Sequence, residues 1–161
     1  MLLWQTGGMI AEPRNMQLTH RLVDSLYTEA MLLADEARFY FDRHGRADRE
    51  SLDPILRVGF SCESLKVTTR LMHVIAWLLT QRAVEAGEIS RIQSLKPARR
   101  LGDAPESDAS LLPKLPPAAL ALIDASRELY GRVQRLDRGS LAPEPQPSPA
   151  RSLLSRLERS L

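Results

Sequence analysis

Residues 62–84 read CESLKVTTRLMHVIAWLLTQRAV, and the spacing of their apolar side chains decides the fold. No proline occurs between Pro54 and Pro97, so a long helix is free to form there. At about 100° per residue, Val74, Val67, Phe60, Leu78, Leu71, Ile75, Leu79, Met72, Leu65, Ala83 and Ala76 fill an arc of roughly 200°. One packed neighbour needs less. The helix is therefore expected to be covered on two sides, by both other helices of a bundle or by one of them plus a second subunit. The remaining arc holds Glu63, Lys66, Arg70, His73, Trp77 and Gln81 at three- and four-residue steps.

Two readings fit that polar stripe. It is either a solvated face with Glu63 paired to Lys66, at a few tenths of a kcal/mol, or a recognition surface, because tryptophan and arginine are enriched at interface hot spots. The second reading assigns partner binding to Glu63, Lys66, Arg70, Trp77 and Gln81, with Trp77 as the anchor and Arg70 as the charge-assisted contact.

Proline placement organises the chain outward from this helix. Pro97, Pro105, Pro113, Pro116 and Pro117 mark one interruption, and Pro143, Pro145, Pro147 and Pro149 another. Leu18, Leu22, Leu26, Ala30, Leu33, Ala37 and Phe41 predict a first helix over about residues 17–41, capped by Asn15 or Thr19 and ended by His44-Gly45. The central helix is expected from about residue 52, with Pro54 in its first turn, to about residue 86, where Gly87 supplies a left-handed cap. Leu120, Ile123, Leu129, Val133 and Leu136 predict a third helix that opens on Pro116-Pro117 and stops at Gly139. No segment alternates with period two. The expected fold is all-α: a disordered segment 1–15, a three-helix bundle 16–139 with a long central helix and a Pro-rich linker at 89–116, and a flexible Pro-rich tail 140–161.

The chain's 161 residues make one ordinary domain, and a net charge of +2 gives no field that selects nucleic acid or anionic membrane as partner. The apolar start, residues 1–10, lacks a basic flank and is broken by Gly7, Gly8 and Pro13, so no membrane span is expected. A single cysteine, Cys62, excludes an internal disulfide and points to the cytoplasm. His20, His44 and His73 share no metal-ligand spacing with each other or with Cys62. No phosphate loop or nucleophile elbow occurs, and Glu63, Glu85 and Glu88 lie along one helix without an opposed partner. The sequence thus predicts no enzyme, no catalytic residue, no cofactor and no metal.

The same central stretch resembles the RcdA family, the alphaproteobacterial regulators of CtrA degradation. The resemblance rests on Glu63-Ser64-Leu65-Lys66, Thr68-Thr69-Arg70-Leu71-Met72, Trp77-Leu78-Leu79 and Gln81-Arg82-Ala83-Val84, with a looser likeness at Phe39-Tyr40-Phe41-Asp42. It implies a small three-helix homodimer that acts without chemistry of its own as an adaptor in regulated proteolysis. Such a protein works with a response-regulator-like partner and the ClpX unfoldase to bring cell-cycle transcription regulators to ClpP.

Two further segments suit protein contacts. Arg91, Lys96, Arg99 and Arg100 in the linker form a basic docking strip for an acidic protein or, in the alternative reading of a small helical DNA-binding or transcription-regulatory protein, for nucleic acid. That alternative lacks a helix-turn-helix spacing and an aromatic stacking platform. In the tail, Leu153, Leu154, Leu157 and Leu161 make an apolar edge beyond a Pro-Gln-Pro-Ser-Pro tether, suited to docking in a partner's groove or on the chain's own bundle.

Overall fold

Every element of the computed structural model is helical among the described residues, which are 12–140 and, in the tail, 149, 150, 153, 156 and 157, with side chains described from residue 19 onward. Helix α1 spans Glu12–Phe39. After a π-helical turn, Tyr40–His44, come short α2, Gly45–Glu50, and long α3, Pro54–Glu85. The linker contains α4, Arg91–Ser94, and two 3₁₀ turns, Pro97–Arg99 and Leu112–Lys114, before α5 closes the bundle at Pro117–Ser140.

The long helices α1, α3 and α5 pack as a three-helix bundle in which α3 is central, touching both others more extensively than they touch each other. Val23, Leu26 and Ala30 of α1, Phe60, Val67, Leu71, Val74 and Leu78 of α3, and Leu122, Ile123, Leu129 and Val133 of α5 form the core. Leu115, from the end of the linker, is buried with them. Leu26, Ala30, Ile123, Leu129 and Val133 lie on the apolar rows read from the sequence, whereas Val23 is buried in place of Leu22, which is 44% exposed, and α3 buries only part of its arc.

Helix ends differ from expectation in three places. Helix α1 starts at Glu12, with Pro13 in its first turn, where a missing N–H costs nothing, so neither Asn15 nor Thr19 is a cap and the segment 12–15 is helical. His44-Gly45 does not stop the chain. The helix widens into the π turn, which brings the Phe41 ring edge-on to Phe60 at 5.4 Å and lets the Tyr40 hydroxyl donate to Asp48 Oδ2 at 2.7 Å. Gly45 fits there because a Cβ would meet the Tyr40 carbonyl oxygen at 2.8 Å. Gly139 lies inside α5 rather than ending it. Gly87, with φ of 74°, is the left-handed cap that the sequence predicts, and Pro54 opens α3 as expected.

The bundle covers only about half of the wide apolar arc of α3. Ile55, Val58, Leu65, Met72 and Leu79 are exposed.

Candidate functional site

The polar stripe of α3 is an interior face, which corrects the expectation of an exposed recognition surface. Glu63 is 1%, Arg70 3% and Trp77 5% exposed, while Lys66 and Gln81 are half-buried. The linker, laid back across α3 and α5, bonds Glu63 and Arg70 directly, while Trp77 meets Asp137 of α5, which the linker's Arg100 also holds. Periodicity shows which residues share a face and not which segment lies on it. The linker therefore does not run as a solvated connector.

At one end Glu63 collects three donors: Lys66 Nζ at 3.0 Å, Ser107 Oγ at 2.6 Å and the Asp108 N–H at 3.1 Å. Burial pushes its carboxyl pKa up, but the bonds from Ser107, Asp108 and Lys66 outweigh that and hold it below the usual carboxylate range. Two turns on, Arg70 donates to Ser126 Oγ at 3.3 Å, to the Pro105 carbonyl at 3.1 Å and to Ser107 Oγ at 2.7 Å. Burial lowers the Arg70 pKa, and Glu63 pulls it back. Ser107 thus bridges the two charges.

At the other end Trp77 Nε1 donates to Asp137 Oδ1 at 2.8 Å, and Arg100 grips the same carboxylate from Nε at 2.7 Å and Nη2 at 2.8 Å. Burial raises the Asp137 pKa, but Arg100 and Trp77 bring it below its ordinary value. Between the two ends Gly102 lies against the His73 ring, and Tyr130 donates to the Gly102 carbonyl at 2.8 Å. The sequence reading missed Ser107, Gly102, Tyr130 and Asp137. Asp137 had a legible signal, since it continues the buried row of Ser126, Leu129 and Val133 on α5 at helical spacing, where a carboxylate needs a buried partner.

A cleft of about 560 Å³ opens between linker and α5, lined by Arg70, Asp103, Glu106, Arg127, Tyr130 and Gln134 among others. Its charges are of both signs. No group of three or more His, Cys, Asp or Glu able to hold a metal ion occurs among the described residues. The three histidines are apart: His20 bonds Glu85 at 2.5 Å, His44 meets the Phe39 ring, and His73 faces Gly102. Cys62 is exposed on α3.

The basic strip keeps three of its four members on the surface. Arg91, Lys96 and Arg99 are exposed, with Ile92 79% exposed between them, whereas Arg100 is withdrawn into its bond with Asp137. In the tail Leu153 and Leu157 are exposed; Leu154 and Leu161 lie outside the described residues. No helix among the described residues is long and apolar enough to cross a membrane.

Comparison with known proteins places this arrangement. Residues 14–161 match the family described as a protein of unknown function, DUF1465. The crystal structure of RcdA from Caulobacter crescentus CB15 is similar, with 35% identity and a TM-score of 0.61 over 74% of this chain and 90% of that one. Comparison with curated proteins gives no match. A central helix of the kind quoted at the outset, the all-helical bundle around it, and identity at this level over nearly all of RcdA lead to one assignment: the chain belongs to the RcdA family, DUF1465.

Proposed function

We propose that this chain is a non-enzymatic adaptor in regulated proteolysis, a cytoplasmic homodimer that helps deliver cell-cycle transcription regulators to the ClpX–ClpP protease together with a response-regulator-like protein. The observation that carries the reading is the 35% identity to RcdA over 90% of that chain. Physical chemistry supports it from a second side. The polar groups that chemistry would need, Glu63, Arg70 and Asp137, are consumed in holding the linker.

The surfaces left for partners are other than the buried stripe. Of the five stripe residues only Lys66 and Gln81 reach the surface at all, so Glu63, Arg70 and Trp77 act by fixing the linker that carries the contacts. Arg91, Lys96 and Arg99 around Ile92 combine positive charge, which steers an acidic partner, with an apolar side chain to anchor it. Leu153 and Leu157 supply a second, tethered contact.

The test is a reconstituted degradation reaction with purified ClpX, ClpP, the response-regulator-like protein and a cargo regulator. The wild-type chain is expected to accelerate cargo loss, and the triple change Arg91→Glu, Lys96→Glu and Arg99→Glu to slow it about tenfold with the fold intact, the order expected when steering charges are reversed. A wild-type chain that leaves the degradation rate unchanged refutes the adaptor reading.

A further inference from the structure

The cleft of about 560 Å³ where the linker crosses α5 has the volume of a small-ligand pocket. Its helix wall is one face of α5, with Arg127, Tyr130, Gly131 and Gln134 at three- and four-residue steps. Its other wall is the linker segment that carries Asp103 and Glu106. That wall is fixed in place. Arg100 is clamped to Asp137, the Gly102 carbonyl accepts from Tyr130, the Pro105 carbonyl accepts from Arg70, and Ser107 joins Arg70 to Glu63. These bonds bracket positions 103 and 106, so both carboxylates stand on backbone that is preorganised before a ligand arrives.

Charge is left over in one sign. Arg70, at the back of the cleft, is buried on Pro105, Ser107 and Ser126 beside Glu63. Glu128 faces Arg132 at 3.4 Å, and Arg127 faces Asp124 at 3.9 Å. Asp103 and Glu106 are exposed, and neither carboxylate makes an ion pair or hydrogen bond among the described residues; Glu106 acts on Arg70 only through space. The Gln134 side chain is likewise without a bond there. The chain as a whole carries a net +2, so this excess of negative charge is local.

Gly131 is a second, independent observation. It lies in the interior of α5, where glycine is the poorest helix former after proline. A Cβ there would meet only Arg135 Nη1, at 3.7 Å, so no crowding among the described residues calls for glycine. Beside it, Tyr130 has its hydroxyl engaged by the Gly102 and Ala104 backbone, which leaves the ring for contact. A bare stretch of helix next to an aromatic ring, across from two unpaired carboxylates, suits a long cationic side chain.

We propose that the cleft binds an arginine side chain presented by a partner protein, its guanidinium on Asp103 and Glu106 and its stem across Gly131 and Tyr130. A guanidinium fits better than an ammonium because it is planar, weakly hydrated and able to fork between two carboxylates while lying on a ring. A metal ion is disfavoured, since no group of three or more His, Cys, Asp or Glu among the described residues is able to hold one. The cleft is opposite in sign to the strip of Arg91, Lys96 and Arg99, so a basic partner and an acidic one are held at separate places. The proposal makes no use of the adaptor reading.

The probe is the tripeptide acetyl-Ala-Arg-Ala-amide, titrated into the purified full chain and followed by NMR at the amides of Tyr130, Gly131 and Gln134. Saturable shifts are expected in the millimolar range or below, and none with the citrulline counterpart, which keeps the shape and loses the charge. Asp103→Asn with Glu106→Gln should weaken binding about tenfold or more at an unchanged urea midpoint, because neither carboxylate has a bonded partner in the fold. Arg127→Ala, which takes a like charge from the rim, should tighten it. Gly131→Ala should weaken it severalfold while raising the urea midpoint, a pairing of effects that a structural role for the glycine would not give. Absence of saturation, equal binding of the citrulline peptide, or binding indifferent to the double change overturns the proposal. Weaker binding in Arg127→Ala assigns the cleft to an anion and overturns it as well. Binding that appears only after residues 143–161 are deleted also overturns it, giving the cleft to the chain's own Arg151, Arg156 or Arg159. Failure of the adaptor reading alone would leave each of these titrations as expected.

Discussion

Replacing Asp137 by alanine tests whether the linker is fastened to the bundle as the structure indicates. Asp137 is 7% exposed and accepts three side-chain bonds from two other segments, one from the Trp77 indole and two from the Arg100 guanidinium. Its removal leaves both donors in a largely dry site without their shared acceptor. A net hydrogen bond contributes about 1 kcal/mol and a charged one about 1.5–3, and breaking a fully buried ion pair costs about 3–5. The Arg100 side chain keeps 18% of its exposure, which brings the expected loss to about 3 kcal/mol. For a domain of this size that is a fall of about 6–12 °C in melting temperature. Asp137→Asn keeps one acceptor and loses the charge, for about half the effect, and Trp77→Phe removes one bond, for about 1 kcal/mol beyond the change in ring packing.

Urea unfolding followed by circular dichroism at fixed protomer concentration measures these losses. A double-mutant cycle between Asp137→Asn and Arg100→Gln should show coupling of about 1 kcal/mol or more. If Asp137→Ala unfolds within about 0.5 kcal/mol of wild type, the effect is that of an ordinary surface substitution. The linker would then be unattached and the α3 stripe a solvated face, which refutes the reasoning.

Gly102→Ala should destabilise by about 1–3 kcal/mol in the same assay, because a Cβ there would sit 2.2 Å from His73 Nδ1 and must displace the ring. Acid should loosen the linker ahead of the helices. Glu63 and Asp137 have pKa values below their unfolded 4.5 and 3.8, so their contribution is complete above those values and lost as pH falls through the lower folded ones; urea midpoints should decline below about pH 4, less steeply in Asp137→Asn. Deleting residues 143–161 should leave helicity and melting nearly unchanged while slowing cargo degradation, and a large loss of stability would mean the tail leucines pack on the bundle. Dialysis against chelator followed by elemental analysis should find no stoichiometric transition metal.

The three long helices were legible because their burial is periodic: Leu26 and Ala30, Val67, Leu71, Val74 and Leu78, and Ile123, Leu129 and Val133 each mark a face. The side on which α3 meets its neighbours was not. Its helix has an apolar arc and a polar stripe, and hydrophobicity alone assigns the arc to the core. The structure divides the arc, burying Val67 and Leu71 and exposing Leu65 and Met72, and it buries the stripe as well. The missing information is long-range. Ser107 and Asp108 reach Glu63 across 44 and 45 residues, and Arg100 reaches Asp137 across 37, distances over which no local pattern speaks.

Why charged residues should face inward follows from what lies on them. A segment without regular structure cannot be covered unless its backbone groups find partners. The linker is rich in proline, each of which removes an N–H and leaves its carbonyl, so the segment is short of donors and long in acceptors. A leucine at position 70 would leave the Pro105 carbonyl without the guanidinium that now reaches it, and a phenylalanine at 130 would do the same to Gly102. The Asp108 N–H, which the linker points inward, meets the carboxylate of Glu63, and the Leu101 backbone N–H likewise finds the carboxylate of Asp137. Arg70, Tyr130 and Glu63 thus replace water for a loop pressed against a helix, each offering the hydrogen-bonding sense that the loop lacks at that point. With one face of α3 committed to this task and another to α1 and α5, the uncharged row through Leu65 and Met72 is the part of the helix that the described residues leave exposed.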